Sequence, residues 1–376
     1  MLGANVPEAL IPLEVISGSL SEPYASKHRI GSAVNGPIGK QTDTRTKVKV
    51  NFTQVESQDI KNELQMMYSA DFKDCGEDGC GPSLNDQNWL KRVDNSIHKY
   101  SEGHYCIALP FKEDEPKLPD NRTPALNRLG GIKRKLERDL KFRSDYVEFM
   151  TMMADKGFAE KVSEDELDVS RFERWYIVHH GVYHKQKRKL RVVFNCSLKY
   201  GGTSLNDKLL SGPDLTNNLV GVLLRFRQGA IAIMGDVEKM FYQVRVSQKD
   251  RDFLRYFWYP EGDPDQDPLE YRLKVHVFGA ISSPSCANFA LRQAAIDFGT
   301  GSKKEAADVI RSDFYVDDLL TSVDGEEQAR ELIRDVRMIC ASGKFNLTQM
   351  ISNNRAVLDS IPLNNLTIGT QSLDFE

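Results

Sequence analysis

Three carboxylates carry the clearest chemistry in this chain. The run Ala230-Ile-Ala-Ile-Met-Gly-Asp236 is apolar enough for a buried strand and ends abruptly in an acid that begins a polar stretch. Farther on, Asp308-Val-Ile-Arg-Ser-Asp-Phe-Tyr-Val-Asp-Asp-Leu-Leu-Thr-Ser322 places Asp317 and Asp318 between two apolar half-runs, the pattern of a tight β-hairpin. Adjacent like charges repel, and the arrangement becomes reasonable when a divalent cation sits between them. Mg²⁺ takes carboxylate oxygens together with substrate phosphates, and two such ions about 3.5–4 Å apart clamp the attacking and leaving oxygens of phosphoryl transfer. An Asp-Asp dipeptide by itself is most often a solvated turn, so its weight rests on context.

That context is a set of elements able to hold acids at strand ends. The first forty residues mix short apolar runs with Gly3, Gly18, Gly31, Gly36 and Gly39, a pattern of short strands and turns. Residues 41–118 turn polar, with Pro110, Pro116 and Pro119 near the end, and read as a linker with room for one helix. A helical segment is expected from Pro124 to Lys156, with Leu136, Leu140, Tyr146, Phe149 and Met150 at near-helical spacing. From Arg171 onward, β-branched and aromatic runs alternate with helix-like segments, an α+β or α/β texture.

Composition bounds the partners. With 40% hydrophobic and 28% charged residues, the 376-residue chain can bury one or two cores. A formal charge of -4 means that any basic surface must be local. Lys185-Gln-Lys-Arg-Lys-Leu-Arg191 is one such stretch, joining a strand-like run, Trp175 to Val182, to another, Arg191 to Phe194. Six scattered cysteines, of which Cys75 and Cys80 lie closest together, show neither disulfide nor zinc spacing and indicate a reduced, intracellular chain. No run of about 18 apolar residues and no basic-then-apolar leader occurs, so no membrane or secretory role is expected.

Tyr315-Val316-Asp317-Asp318, with Asp236 upstream and Phe241 five residues after it, resembles the catalytic signatures of reverse transcriptases. His179-His180-Gly-Val-Tyr, Arg191-Val-Val-Phe-Asn-Cys-Ser197, Ser204-Leu-Asn-Asp-Lys-Leu-Leu-Ser-Gly-Pro213 and Phe278-Gly-Ala-Ile-Ser-Ser-Pro-Ser-Cys-Ala-Asn288 narrow the likeness. Together they resemble the Pao (BEL/Pao) group of long-terminal-repeat retrotransposons from about Pro119 to Asn354. The resemblance implies the fingers and palm of a right-hand polymerase over 119–360 and a truncated start of the connection to thumb and RNase H over 361–376. It also implies a short β remnant of a retropepsin-like domain over 1–40, on Leu2-Gly-Ala-Asn5 and Arg29-Ile-Gly-Ser-Ala-Val-Asn-Gly-Pro37.

The function so implied is RNA-directed DNA synthesis, by attack of a primer 3′-hydroxyl on a deoxynucleoside triphosphate with two Mg²⁺ ions, or Mn²⁺. Asp236 and Asp317 would bind both ions with the carbonyl of Val237, and Asp318 would complete the acidic cluster. Arg191, and Lys187 beside it, match the triphosphate-binding fingers hairpin. Phe278 and Gly279 match the turn that contacts nucleotide and template, Phe241 the ring beneath the incoming sugar, and Tyr315 and Val316 substrate-binding residues of the hairpin that carries the acids. His179, His180 and His184 are expected to pack or hydrogen-bond without chemistry. The implied partners are an RNA or DNA template with its primer, deoxynucleoside triphosphates and other retroelement polyprotein products, in the cytoplasm or in virus-like particles.

The chain departs from the pattern at several points. Asn195 stands where relatives usually carry aspartate, and Gln349 where a lysine is expected as general acid toward pyrophosphate, a role glutamine cannot take. No Asp-Thr-Gly or Asp-Ser-Gly triplet occurs, so no protease activity is expected. With no match to a primer grip, the chain reads as a fragment. The alternative function is a catalytically weak or inactive nucleic-acid-binding remnant of a decayed retroelement.

Overall fold

The computed structural model describes residues 13–17, 24–28, 31–35, 83–167, 173–183 and 189–367. They fall in two compact units, Met1–Cys80 and Gly81–Glu376. In the first, β1 (Glu14–Ser17), β2 (Tyr24–His28) and β3 (Gly31–Asn35) form an antiparallel meander in that order. Glu14 pairs with Lys27 and Tyr24 with Asn35, in keeping with the short strands expected there.

The second unit runs α1 (Leu84–Ser96), β4 (His98–Lys99), β5 (Tyr105–Ile107), α2 (Arg122–Arg138), α3 (Leu140–Asp155), β6 (Ala159–Lys161), β7 (Val178–Tyr183) and β8 (Leu190–Asn195). It continues through α4 (Leu205–Lys208), α5 (Leu219–Arg225), β9 (Ile231–Val237), β10 (Arg245–Val246), β11 (Arg255–Trp258), β12 (Leu269–Leu273) and α6 (Ser283–Phe298). It ends with α7 (Lys304–Ser312), β13 (Phe314–Tyr315), β14 (Asp318–Val323), α8 (Glu326–Ser342), β15 (Leu347–Ser352) and α9 (Arg355–Asp359). Helices and mainly antiparallel sheets intermingle, so the fold is α+β. Among the described residues, no helix is long and apolar enough to cross a membrane.

Two expectations are corrected here. The stretch expected over 41–118 as a linker with room for one helix does hold one helix, α1, but from residue 83 onward it is packed rather than a linker: Trp89, Val93, Tyr105, Ile107, Leu109, Phe111 and Leu118 are all buried. A few large apolar residues widely spaced are enough to anchor such a segment, although its average composition is polar. The single helix expected over 124–156 is two, broken at Asp139 (φ -123°, ψ 96°). Its N–H closes α2 on the Lys135 carbonyl, and its carboxylate accepts from Phe142 N–H at 2.9 Å, capping α3. Leu140, though at near-helical spacing with the buried Leu136 and Tyr146, is 76% exposed.

The sheet ordered β13-β14-β9-β15 is antiparallel throughout. Along β9 burial alternates, with Ile231, Ile233 and Val237 inward and Met234 and Asp236 outward. The strand expected to be buried is therefore covered on one face only. Ile233, Leu319, Val323 and Leu347 share a core with Ala290 and Ala294 of α6, Ile310 of α7, and Leu332 and Val336 of α8. Gly235 leaves room for the Met350 side chain of β15, whose Sδ would stand 2.6 Å from a Cβ there.

A second core joins α2 and α3 to the hairpin β7–β8 and to β11 and β12 through Leu129, Leu136, Tyr146, Phe194, Tyr256 and Trp258. His179 lies in it, 5% exposed, as a hydrogen-bonding residue. Its Nε2 meets the Phe257 carbonyl at 2.9 Å and must carry the proton, which leaves Nδ1 to accept from the Tyr146 hydroxyl at 2.5 Å. Burial pushes its pKa down to about 4, so the ring is neutral. Cys106, Cys196, Cys286 and Cys340 are buried free thiols, whereas Cys75 and Cys80 lie outside the described residues.

Candidate active site

The three acids meet because of strand order. β13 and β14 form the expected hairpin, with Phe314 opposite Leu319 and Tyr315 opposite Asp318, leaving Val316 and Asp317 as the turn. β14 then pairs with β9 so that Asp318 lies directly opposite Asp236, while Asp317 is tied to the same strand through Val237 N–H donating to its carbonyl at 2.9 Å. Like charges directly opposite on a sheet are destabilising. Partial burial, followed by the neighbouring charge of Asp317, raises the Asp318 carboxyl above its usual range. Among the described residues, no three Asp, Glu, His or Cys side chains are gathered as a metal-holding group. The backbone brings the aspartates together, and like-charge repulsion opposes convergence of their carboxylates.

Backbone strain concentrates at the same place. Val316 has φ 59° and Gln349 φ 50°, in the left-handed region that a β-branched residue rarely enters. Gln349 sits where β15 shifts register against β9 between Thr348 and Ile351, and its Nε2 donates to Asp236 Oδ2 at 3.3 Å. The residue noted as a missing lysine therefore touches the first acid directly. Behind the hairpin, buried Asp313 accepts from Thr321 Oγ1 and from Arg225 Nε, each at 2.7 Å. These two contacts hold the turn from below, and sequence reasoning missed both; the only signal was an acid four residues before Asp317.

Phe241 follows Asp236 on a tight turn, Met240–Gln243, entered through left-handed Lys239. Its ring contacts that of Phe278, and Gly279 comes next with φ 113°. A Cβ on Gly279 would stand 2.1 Å from the Phe194 carbonyl oxygen, so this turn lies against β8 only because the residue is glycine. Asn206 fastens it, donating to the Gly279 carbonyl at 2.9 Å and accepting from Ile281 N–H at 3.1 Å. Asn206 stands in Ser204-Leu-Asn-Asp207, and sequence reasoning missed this bond because its partner is some seventy residues away.

Arg191 is exposed on β8, opposite Val182, and no described contact joins it to the acids. Lys187 and His184 lie outside the described residues. Tyr315, Val316 and Val237 stand beside the acids. No protein-family model matches the chain, and no curated protein matches it.

Proposed function

We propose that this chain is an RNA-directed DNA polymerase of the Pao type. In this reading the β13-β14-β9-β15 sheet with α6, α7 and α8 is the palm, the β7–β8 hairpin with α2 and α3 the fingers, and the N-terminal meander a retropepsin remnant. The observation that carries it is the register of Asp318 on Asp236, with Asp317 in a strained turn bonded to the next residue of the same strand.

Carboxylates and a backbone carbonyl are the hard oxygen donors that Mg²⁺ selects, so the residues present fit the ion. Bound Mg²⁺ or Mn²⁺ supplies positive charge to the reacting phosphate and to the attacking and leaving oxygens. Asp236 and Asp317 would hold the ions with the Val237 carbonyl, and Asp318 would complete the acidic cluster. Phe241 and Phe278 form the floor for sugar and base, Gly279 admits the nucleotide close to the backbone, and Arg191, with Lys187, meets the triphosphate. Template, primer and deoxynucleoside triphosphates are the proposed partners, together with other retroelement polyprotein products. Cytoplasm or virus-like particles are the proposed setting.

Primer extension on poly(rA) tests the reading. Wild type extends with Mg²⁺ or Mn²⁺, while folded Asp236→Asn and Asp317→Asn variants lose extension by at least about a hundredfold. Extension by either variant at the wild-type rate means the metal assignment is wrong. The second reading, a non-catalytic nucleic-acid-binding remnant, is favoured by Gln349 in place of lysine. It requires template binding without extension in the wild type.

A further inference from the structure

We infer that the exposed side of helix α2 is a docking surface for the phosphate backbone of nucleic acid, separate from the acidic site. From Arg122 to Arg143 the chain carries eight cations (Arg122, Arg128, Lys133, Arg134, Lys135, Arg138, Lys141 and Arg143) against Glu137 and Asp139. That is 8 − 2 = +6, so the remainder carries −4 − 6 = −10. A local excess this large in an acidic chain is an electrostatic footprint.

The helix is amphipathic in an unusual sense, with an apolar side in the core and a cationic side in solvent. Ala125, Leu129 and Leu136 face the core. At about 100° per residue, Arg134 and Arg138 fall opposite that side, and Lys135 and Arg128 extend the same solvent arc toward its flank. All four are exposed, and none has an ion-pair partner among the described residues. Their neighbours are neutralised: Arg122 by Glu270, Lys133 by Glu137, Lys141 by Asp145 and Arg143 by Asp263. Lys135 Nζ rests 3.9 Å from the Phe142 ring centroid, which holds that charge in place.

Gly131 falls within the same arc, and a Cβ there would meet nothing within 4 Å. Glycine weakens a helix interior, and no neighbouring side chain requires it here. What its absent side chain allows is close approach from outside. From Arg128 to Arg138 the helix rises about 15 Å, the length of four to five base steps of a strand at about 3.4 Å each. An anionic membrane is a poorer match, because an interfacial helix must present apolar side chains, and here the apolar side is buried. The choice of nucleic acid over other polyanions rests on the polymerase reading.

The test is fluorescence anisotropy without nucleotides or divalent ions, on a labelled single-stranded RNA and on an RNA–DNA duplex, across a salt series. A quadruple variant, Arg128→Gln, Arg134→Gln, Lys135→Gln and Arg138→Gln, is compared with a control, Arg330→Gln, Arg334→Gln, Arg337→Gln and Arg355→Gln. The first should lose at least about tenfold in affinity, and its log–log salt slope should fall by about three on single strands. The control should match wild type. The probe that loses more affinity identifies whether template strand or duplex lies on α2. Equal affinities and slopes for wild type and both variants overturn the proposal, as does wild-type binding to phosphatidylserine vesicles but to neither oligonucleotide. A chain that shows the slope change yet never extends a primer keeps this surface and loses the polymerase reading.

Discussion

The ring of Phe278, 68% exposed, lies 4.6 Å from the ring of Phe241, which is 8% exposed. One aromatic thus stands in solvent braced by another seated in the core. If the pair forms the floor beneath an incoming nucleotide, Phe241 excludes a ribose 2′-hydroxyl by overlap. Phe241→Val removes buried ring and costs stability in any case. A gate also predicts a selective gain, with the kcat/KM ratio for dCTP over CTP falling at least tenfold, about 1.4 kcal/mol. A constant ratio with both rates reduced would make Phe241 a packing residue.

Gln349 combines a strained backbone with a contact to Asp236, and the two separate by mutation. Asparagine tolerates the left-handed conformation better than glutamine, but it is one methylene too short to keep the 3.3 Å contact. Gln349→Asn should therefore melt no lower than wild type. The Mg²⁺ concentration for half-maximal extension should rise about threefold, as for loss of one long hydrogen bond worth about 0.7 kcal/mol. Superimposable Mg²⁺ titrations would show that the contact does not prepare Asp236.

Gly279→Ala should lower stability by about 2 kcal/mol or more in urea unfolding. The methyl group would meet the Phe194 carbonyl, and φ 113° is strained for any side chain. A loss within about 0.5 kcal/mol would mean that the turn relaxes freely.

Asp250 gives the fold a pH dependence. It is 6% exposed and accepts from Leu109 N–H at 2.9 Å, and burial pushes its carboxyl up to about 6. A raised carboxyl favours folding most fully below the unfolded value of about 3.9, and this contribution is lost as pH rises through about 6. Asp250→Asn keeps an acceptor for Leu109 and removes the buried charge. It should add about 2–3 kcal/mol at pH 7.5 and nothing below about pH 3.5. Unfolding curves at the two pH values check the sign, and an equal effect at both would refute it.

Much of this protein was determined by local sequence. The alternation around Asp317 and Asp318 specifies a hairpin, because two short apolar strands joined by a two-residue turn bury their apolar faces in few other ways. The apolar run ending at Asp236 specifies a strand with an acid at its end. Asp139 is a residue type that caps helices, but the apolar period running across it masked the break, so the two helices read as one segment. What tertiary structure alone decided is which strands become neighbours. Asp318 faces Asp236 because β14 pairs with β9, a contact between segments some eighty residues apart that no local period encodes. In the same way, Gly279 matters because Phe194 arrives 2.1 Å from where its Cβ would be, and residues 83–118 fold because distant cores receive Trp89 and Phe111. Hydrophobic burial is non-directional, so a polar-looking segment with a few large side chains becomes structure only when the rest of the chain offers a surface to bury them.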